Sequence, residues 1–248
     1  MVKVCVLALL LFLVTSKSQI EVLKAIKRSP NYFTQGFFFD SPNSLVESTG
    51  LYGESRIQRI DAETGEPIEI HRLKNTDFGE GCTMIDEKIY QLTWHERKCF
   101  IYDKNFNLLE TKILMPEIYE GWGATTDNTY LYVSDGSAVI YKIDPKEWRV
   151  IRKIRVHDNK EQSNINAMQY VDGYIFANVY MTDYIVKIEE STGLIVKRYN
   201  LKRLREKYNI ANGNISGYVL NGIAYNKERE TFYITGKKWK YIFEVTFS

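Results

Sequence analysis

The sequence is short of the residues on which disulfide scaffolds and metal sites are built, with 3 cysteines and 3 histidines in 248 residues. Cys5 sits in an amino-terminal apolar run, which leaves Cys82 and Cys99. Consecutive hairpins turning at Asp86-Glu87 and at His95-Glu96-Arg97 place these two on strands that flank a third. Two strand spacings of about 4.8 Å separate them by roughly 10 Å, beyond the roughly 7 Å between Cα atoms that a disulfide tolerates. Two buried free thiols are expected. His71, His95 and His157 fall on a predicted outer strand and two loops without ligand spacing, so they read as solvated side chains, and no metal site is expected. An excess of one charge is also missing. Thirty-three Lys+Arg stand against thirty-one Asp+Glu, for a net +2 and no long run of either sign, which argues against nucleic acid or an anionic membrane as partner. No glycine-rich phosphate loop and no Ser-His-Asp order is present, and no cofactor is implied.

Long hydrophobic runs are missing too, with one short exception. MVKVCVLALLLFLVTSKSQ carries Lys3, an apolar stretch from Val4 to Val14, and small residues at Ser16 and Ser18. That stretch is too short for a bilayer, which needs about 20 residues. It has the layout of a secretory signal over residues 1–18, so the mature chain is expected to be extracytoplasmic and free of the membrane. Asn214-Ile215-Ser216 is a glycosylation sequon if the host modifies secreted proteins.

What the chain does have is an internal repeat. A short alternating segment ending in an acid recurs as RIQRID, KCFIYD, VIYKID and YIVKIE, with YIFEV as a fifth copy. Before each lies another strand (SLVESTG, KIYQLTW, YLYVSDG, YIFANVY, TFYITGK), and before that a third (FTQGFFFD, GEGCTMID, GWGATTD, INAMQYVD, LNGIAYN). After the acid a fourth strand follows four times, as EPIEIHRL, NLLETKIL, RVIRKIRV and LIVKRYNL. The period of about 42 to 45 residues is that of a four-stranded propeller blade. The fifth unit lacks its outer strand, and IEVLKAI (Ile20 to Ile26) is available to supply it, closing the ring and removing open edges. The expected fold is all-β, a five-bladed β-propeller over residues 19–248 with four antiparallel strands per blade. One segment, about 202–218, breaks the period. It reads as a loop insertion whose first half makes a helical turn or two, with Leu201, Leu204 and Tyr208 on one side.

Aligning the units puts Gln35, Glu80, Trp122, Asn166 and Asn221 at one position, just before the innermost strand, each followed by Gly or Ala. The ends of the second strands supply Gly50, Trp94, Gly136, Tyr180 and Lys237 in the same register. Antiparallel pairing brings both sets to one face, as a cup that also takes Phe33 and Phe78. Glu80 is its one carboxylate and Lys237 its one amine. A salt bridge between blades two and five would account for the pair structurally. A carboxyl among aromatics beside an ammonium is equally a tunable general acid/base, because apolar walls raise its pKa and the cation lowers it.

FTQG, ESTGLYGES, FGEG followed by LTW, EGWGATTD, SDGS, ANVY, LNGIA and TGKKW together resemble the plant and bacterial glutaminyl-peptide cyclotransferases (glutaminyl cyclases). That resemblance runs from about Phe33 to Phe243. It implies a five-bladed propeller that turns the amino-terminal glutamine of a peptide or protein into pyroglutamate, releasing ammonia without a catalytic metal. It also implies site roles for Phe33, Gln35, Phe78, Glu80, Trp94, Trp122, Asn166 and Lys237. The chain departs from the family pattern at Tyr180, where a tryptophan is usual, and at Ile165 to Gln169, where two acids usual in the family are missing. Under this reading Glu80 and Lys237 are catalytic: Glu80 moves protons, and Lys237 keeps Glu80 ionised or stabilises the developing oxyanion. Gln35, Asn166 and Asn221 hold the substrate, while Phe33, Phe78, Trp94, Trp122 and Tyr180 exclude water. The protein is expected to act as a monomer. The rival reading is a non-catalytic secreted propeller that binds a peptide end or sugar in the same cup.

Overall fold

The computed structural model describes residues 20–28, 32–211 and 217–248. The expected signal segment and the sequon at Asn214 lie outside them. The described chain forms β1 (Ile20–Lys27), then blade one from β2 (Thr34–Ser41), β3 (Ser44–Thr49), β4 (Arg56–Asp61) and β5 (Pro67–Arg72). Blade two is β6 (Gly79–Ile85), β7 (Lys88–Thr93), β8 (Lys98–Tyr102) and β9 (Leu108–Ile113). Blade three is β10 (Ala124–Thr126), β11 (Leu131–Ser134), β12 (Val139–Asp144) and β13 (Arg149–Arg155). Blade four is β14 (Ile165–Val171), β15 (Tyr174–Val179), β16 (Tyr184–Glu189) and β17 (Ile195–Asn200). A short helix, α1 (Lys202–Lys207), precedes blade five, made of β18 (Leu220–Asn226), β19 (Thr231–Gly236) and β20 (Tyr241–Phe247). Each blade is a four-stranded antiparallel sheet, and β1 pairs with β20 as the outer strand of the fifth. The result is a five-bladed β-propeller closed by its own amino-terminal strand.

The closure carries a buried ion pair. Just past β1, Arg28 donates to both oxygens of Glu47 on β3, at 2.8 and 2.7 Å. Thr34 and Gln58 donate to the same carboxylate, so the buried charge has partners on several sides. The apolar core lies between blades. Leu92, Cys99 and Ile101 of blade two pack with Leu131, Val133 and Ile143 of blade three. Phe176 and Tyr199 of blade four pack with Phe232, Ile234 and Phe243 of blade five. Cys82 and Cys99 are buried and unpaired on β6 and β8, with β7 between them.

In the first three blades the acid at the end of the third strand has a local purpose. Asp61, Asp103 and Asp144 each accept two backbone N–H bonds from the following turn, which makes the strand exit an Asx-type turn. The hairpin at Asp86-Glu87 takes positive φ at both residues, 47° and 62°, the backbone whose twist matches its flanking strands. In the insertion, Leu201 and Leu204 are buried against blade five. Arg205 binds the carboxylate of Asp183 at 2.9 Å, tying α1 to the loop that follows Tyr180. No helix among the described residues is long and apolar enough to cross a membrane.

Candidate active site

The channel mouth is built by an irregularity repeated in all five blades. In β6, Gly79 pairs with Thr93 and Cys82 with Gln91, so Glu80 and Gly81 together face Leu92 alone. The same extra residue appears at Gln35 in β2, at Asn166-Ala167 in β14 and at Asn221-Gly222 in β18. In blade three, Trp122 N–H donates to Ser134 O while Ser134 N–H donates to Gly123 O, again two residues against one. These are β-bulges, which break the alternation and re-aim a side chain. The aligned residues therefore sit at a bulge within the innermost strands of four blades, rather than before those strands as the repeat implied. The residue after each must be small. A Cβ on Gly123 would stand 1.9 Å from the backbone oxygen of Asn166 in the next blade.

The second-strand ends arrive at the same face. Trp94, Tyr180 and Lys237 directly follow β7, β15 and β19. A cavity of about 260 Å³ opens between the two sets, lined by Phe33, Gln35, Leu51, Phe78 and Glu80 with Trp94, Trp122, Asn166, Tyr180 and Lys237. Its walls are aromatic: Phe78 meets Phe33 edge-on at 6.3 Å and Trp94 at 5.3 Å, while Trp122 meets Tyr180 at 5.4 Å. Gly136 leaves room for the Trp122 ring, which a Cβ there would approach to 2.7 Å. A wider groove of about 790 Å³ runs along blades two and three past Lys88, Tyr90 and Lys112, and shares no residue with the cup.

Glu80 and Lys237 are each 5% exposed. Burial pushes the Glu80 carboxyl well above the usual carboxylate range; Lys237 opposes this, while Glu120 and Glu96 add to it. Burial likewise depresses the Lys237 ammonium, and Glu80 opposes that. The two feel each other through the cavity without touching, and no ion pair joins them, so the interblade salt bridge is absent. Lys237 Nζ instead stands 4.8 Å from the Phe33 ring centre and 4.9 Å from that of Tyr180, a cation–π arrangement with both aromatic faces. Gln35 Nε2 donates to Glu80 Oε1 at 2.9 Å. Asn166 lines the cavity with a buried Oδ1 that has no partner.

Of the side chains assigned to the cup from the repeat, Asn221 alone does not line the cavity. It is fully buried behind Gln35, donating to Gln35 Oε1 at 3.0 Å. Glu80 is the one carboxylate among the residues that line the cavity, as expected, but other acids stand just outside it. Glu120 accepts the indole N–H groups of both Trp94 and Trp122 on one oxygen, at 2.6 and 2.7 Å. His95, read as merely solvated, stacks on Trp94 with centroids 3.6 Å apart and reaches Glu120 Oε1 at 3.3 Å. Glu96 accepts from the Tyr52 hydroxyl and from Phe78 N–H. Leu51, missed as well, lines the cup with φ at +85°, a conformation costing about 1–3 kcal/mol in a non-glycine residue. Leu51, Glu120 and Tyr52 all lie inside the motifs ESTGLYGES and EGWGATTD, so the signal that points to them is membership of those motifs, not repeat register.

Comparison with known proteins places this geometry. The family model described as glutamine cyclotransferase matches residues 8–247. The chain belongs to that family. It is 33% identical over 229 residues to the glutaminyl-peptide cyclotransferase of Arabidopsis thaliana, covering 92% of this chain and 71% of that one. Among solved structures, the glutaminyl cyclase of Myxococcus xanthus superposes with a TM-score of 0.83 at 26% identity, over 93% of this chain and 97% of that one. A structural genomics protein of unknown function from Bacteroides thetaiotaomicron shares the fold, with a TM-score of 0.56 at 12% identity, over 94% of this chain and 77% of that one. Within the cyclotransferase family frame, the cup offers one buried carboxyl, one buried amine and a set of aromatic walls. Among the described residues, no group of three or more His, Cys, Asp or Glu side chains is gathered to hold a metal ion.

Proposed function

We propose that Glu80 is the proton shuttle with which this glutaminyl-peptide cyclotransferase converts an amino-terminal glutamine to pyroglutamate and ammonia. The observation that carries this reading is a nearly buried carboxyl, held well above its ordinary pKa by burial, in the wall of an aromatic cavity of about 260 Å³ that also holds a buried amine.

The reaction has two proton demands. An α-ammonium with a pKa near 7.7 to 8.0 must lose a proton before it can attack, and the amide nitrogen must gain one before it leaves. A carboxyl raised above its ordinary range by burial suits both, because it takes up a proton more readily than an exposed carboxylate and can hold it between the two steps. Glu80 takes one ammonium proton, and the neutral amine adds to the side-chain carbonyl carbon. As the bond from that carbon to its amide nitrogen breaks, Glu80 gives its proton to the departing nitrogen. It then collects the second proton from the new ring nitrogen and passes it on, so ammonia leaves as ammonium.

Lys237 has no carboxylate in contact, so its charge is free to meet the oxyanion that forms on the carbonyl. The unpaired Asn166 Oδ1 is an acceptor suited to a substrate N–H. Phe33, Phe78, Trp94, Trp122 and Tyr180 exclude water and keep the glutamine folded with its amine over its carbonyl, the geometry that gives intramolecular attack its advantage. Tyr180 supplies that wall without the usual tryptophan. The cup is completed within one chain, which supports a monomer, and the apolar amino-terminal run supports action after secretion.

The test is ammonia release from a short peptide beginning with glutamine, beside the same peptide with its amine acetylated. Release from the free peptide alone is expected. Absence of release by folded protein across several peptides would overturn the reading.

A further inference from the structure

The donors beneath Glu80 form a chain with fixed ends. Ala167 N–H donates to Asn221 Oδ1 at 3.3 Å, and the Thr34 carbonyl accepts from Asn221 Nδ2 at 3.0 Å. Neither backbone group can exchange its role, so the Asn221 amide cannot flip. The same Nδ2 donates to Gln35 Oε1 at 3.0 Å, which leaves Gln35 Nε2 to donate to Glu80 Oε1 at 2.9 Å. Asn221 is 0% exposed and Gln35 2%, so water cannot stand in for a lost partner. The series passes from blade four through blades five and one to blade two, and each bond polarises the next.

We infer that Asn221 is a positioning residue which, through Gln35, reserves Glu80 Oε1 as an acceptor and makes Oε2 the oxygen that carries the moving proton. This rests on the reading of Glu80 as the shuttle. An amide nitrogen donates and never accepts, so Oε1 must present a lone pair whether Glu80 is ionised or neutral. The proton of the neutral carboxyl therefore sits on Oε2. It arrives there from the ammonium and departs from there to the leaving nitrogen, with no exchange between oxygens. The Gln35 oxygen is held by Asn221 and its nitrogen by Glu80, so Gln35 acts on Glu80 first.

Asn221→Asp tests this. A carboxyl has at most one hydrogen to give where Asn221 Nδ2 gives two, to the Thr34 carbonyl and to Gln35, so Gln35 loses its fixed donor and its amide can turn its oxygen toward Glu80 Oε1, where only a protonated carboxyl is tolerated. The acid limb of kcat/KM, which reports Glu80 in the free enzyme, should move up by about one to two pH units, as for loss of a hydrogen bond to a charged group. Gln35→Met removes the same donor without adding charge, and should move the limb in the same direction if the Asn221→Asp variant fails to fold. In infrared spectra, the protonated Glu80 carbonyl band, identified by its loss in Glu80→Gln, should rise in frequency in Gln35→Met. An unmoved acid limb, or an unmoved band, in folded variants would overturn the inference. Full turnover by Glu80→Gln would instead remove the reading beneath it.

Discussion

Glu80→Gln separates the catalytic and energetic roles of one buried group. The amide oxygen introduced there can still accept from Gln35, so the local hydrogen bond at 2.9 Å survives and the fold should hold. Turnover should fall by about 10² to 10⁴-fold, the usual contribution of a positioned general acid/base. Stability should change in the opposite sense. Burial, opposed by Lys237, raises the folded-state pKa of Glu80 above its ordinary value of 4.5. Between that value and the raised one the folded state keeps a proton that the unfolded state releases. The unfolded state then binds fewer protons, so stability falls as pH rises through this window. Below it, near pH 4, wild type and variant should be about equally stable. Near neutral pH the variant should be the more stable of the two, because it has no buried carboxyl whose proton affinity differs between the folded and unfolded states. Urea unfolding of both proteins at several pH values measures this difference. A variant no more stable than wild type at neutral pH, or one that keeps full turnover, would refute the reasoning.

Three other substitutions follow from the same contacts. Lys237→Met removes the attraction that lowers the Glu80 pKa, so the acid limb of kcat/KM should move up and kcat should fall, by roughly 10-fold or more if an oxyanion partner is lost; a kcat within about twofold of wild type would contradict this. Glu120→Gln withdraws a charge that raises the Glu80 pKa and weakens the shared acceptor of Trp94 and Trp122, so the limb should move down while KM rises, measurable in one pH series. Arg28→Met leaves Glu47 charged, buried and without its guanidinium; denaturant unfolding should show a loss of about 3–5 kcal/mol, with the pH profile of the remaining folded enzyme unchanged.

The architecture was legible in the sequence because each blade must satisfy the same constraints locally. The RIQRID-type strands, the Asp that turns the chain, and the small residue at the axis recur at one period, and the missing fifth outer strand had one candidate in Ile20 to Ile26. The cup's main walls were legible for a related reason: equal register in each blade means an equal place around the axis. The aromatic residues Trp94 and Tyr180 and the charged Lys237 could be assigned to it from the ends of the second strands alone.

What the repeat could not convey was how side chains from different blades meet. The bulges that aim Glu80, Asn166 and Asn221 differ from plain strand by one unpaired residue, a change that alternation over a few positions does not reveal. The clamp of Glu120 on two indoles, the stacking of His95 on Trp94, and the line from Ala167 through Asn221 and Gln35 to Glu80 depend on packing that no repeat register encodes. Sequence alone determined the five blades, their closure and most of the residues that line the mouth, because these follow from local periodicity. Only the tertiary structure decided that Glu80 and Lys237 face each other without a salt bridge and that Asn221 serves Glu80 from behind, because those depend on the angle at which one blade's inner strand abuts the next.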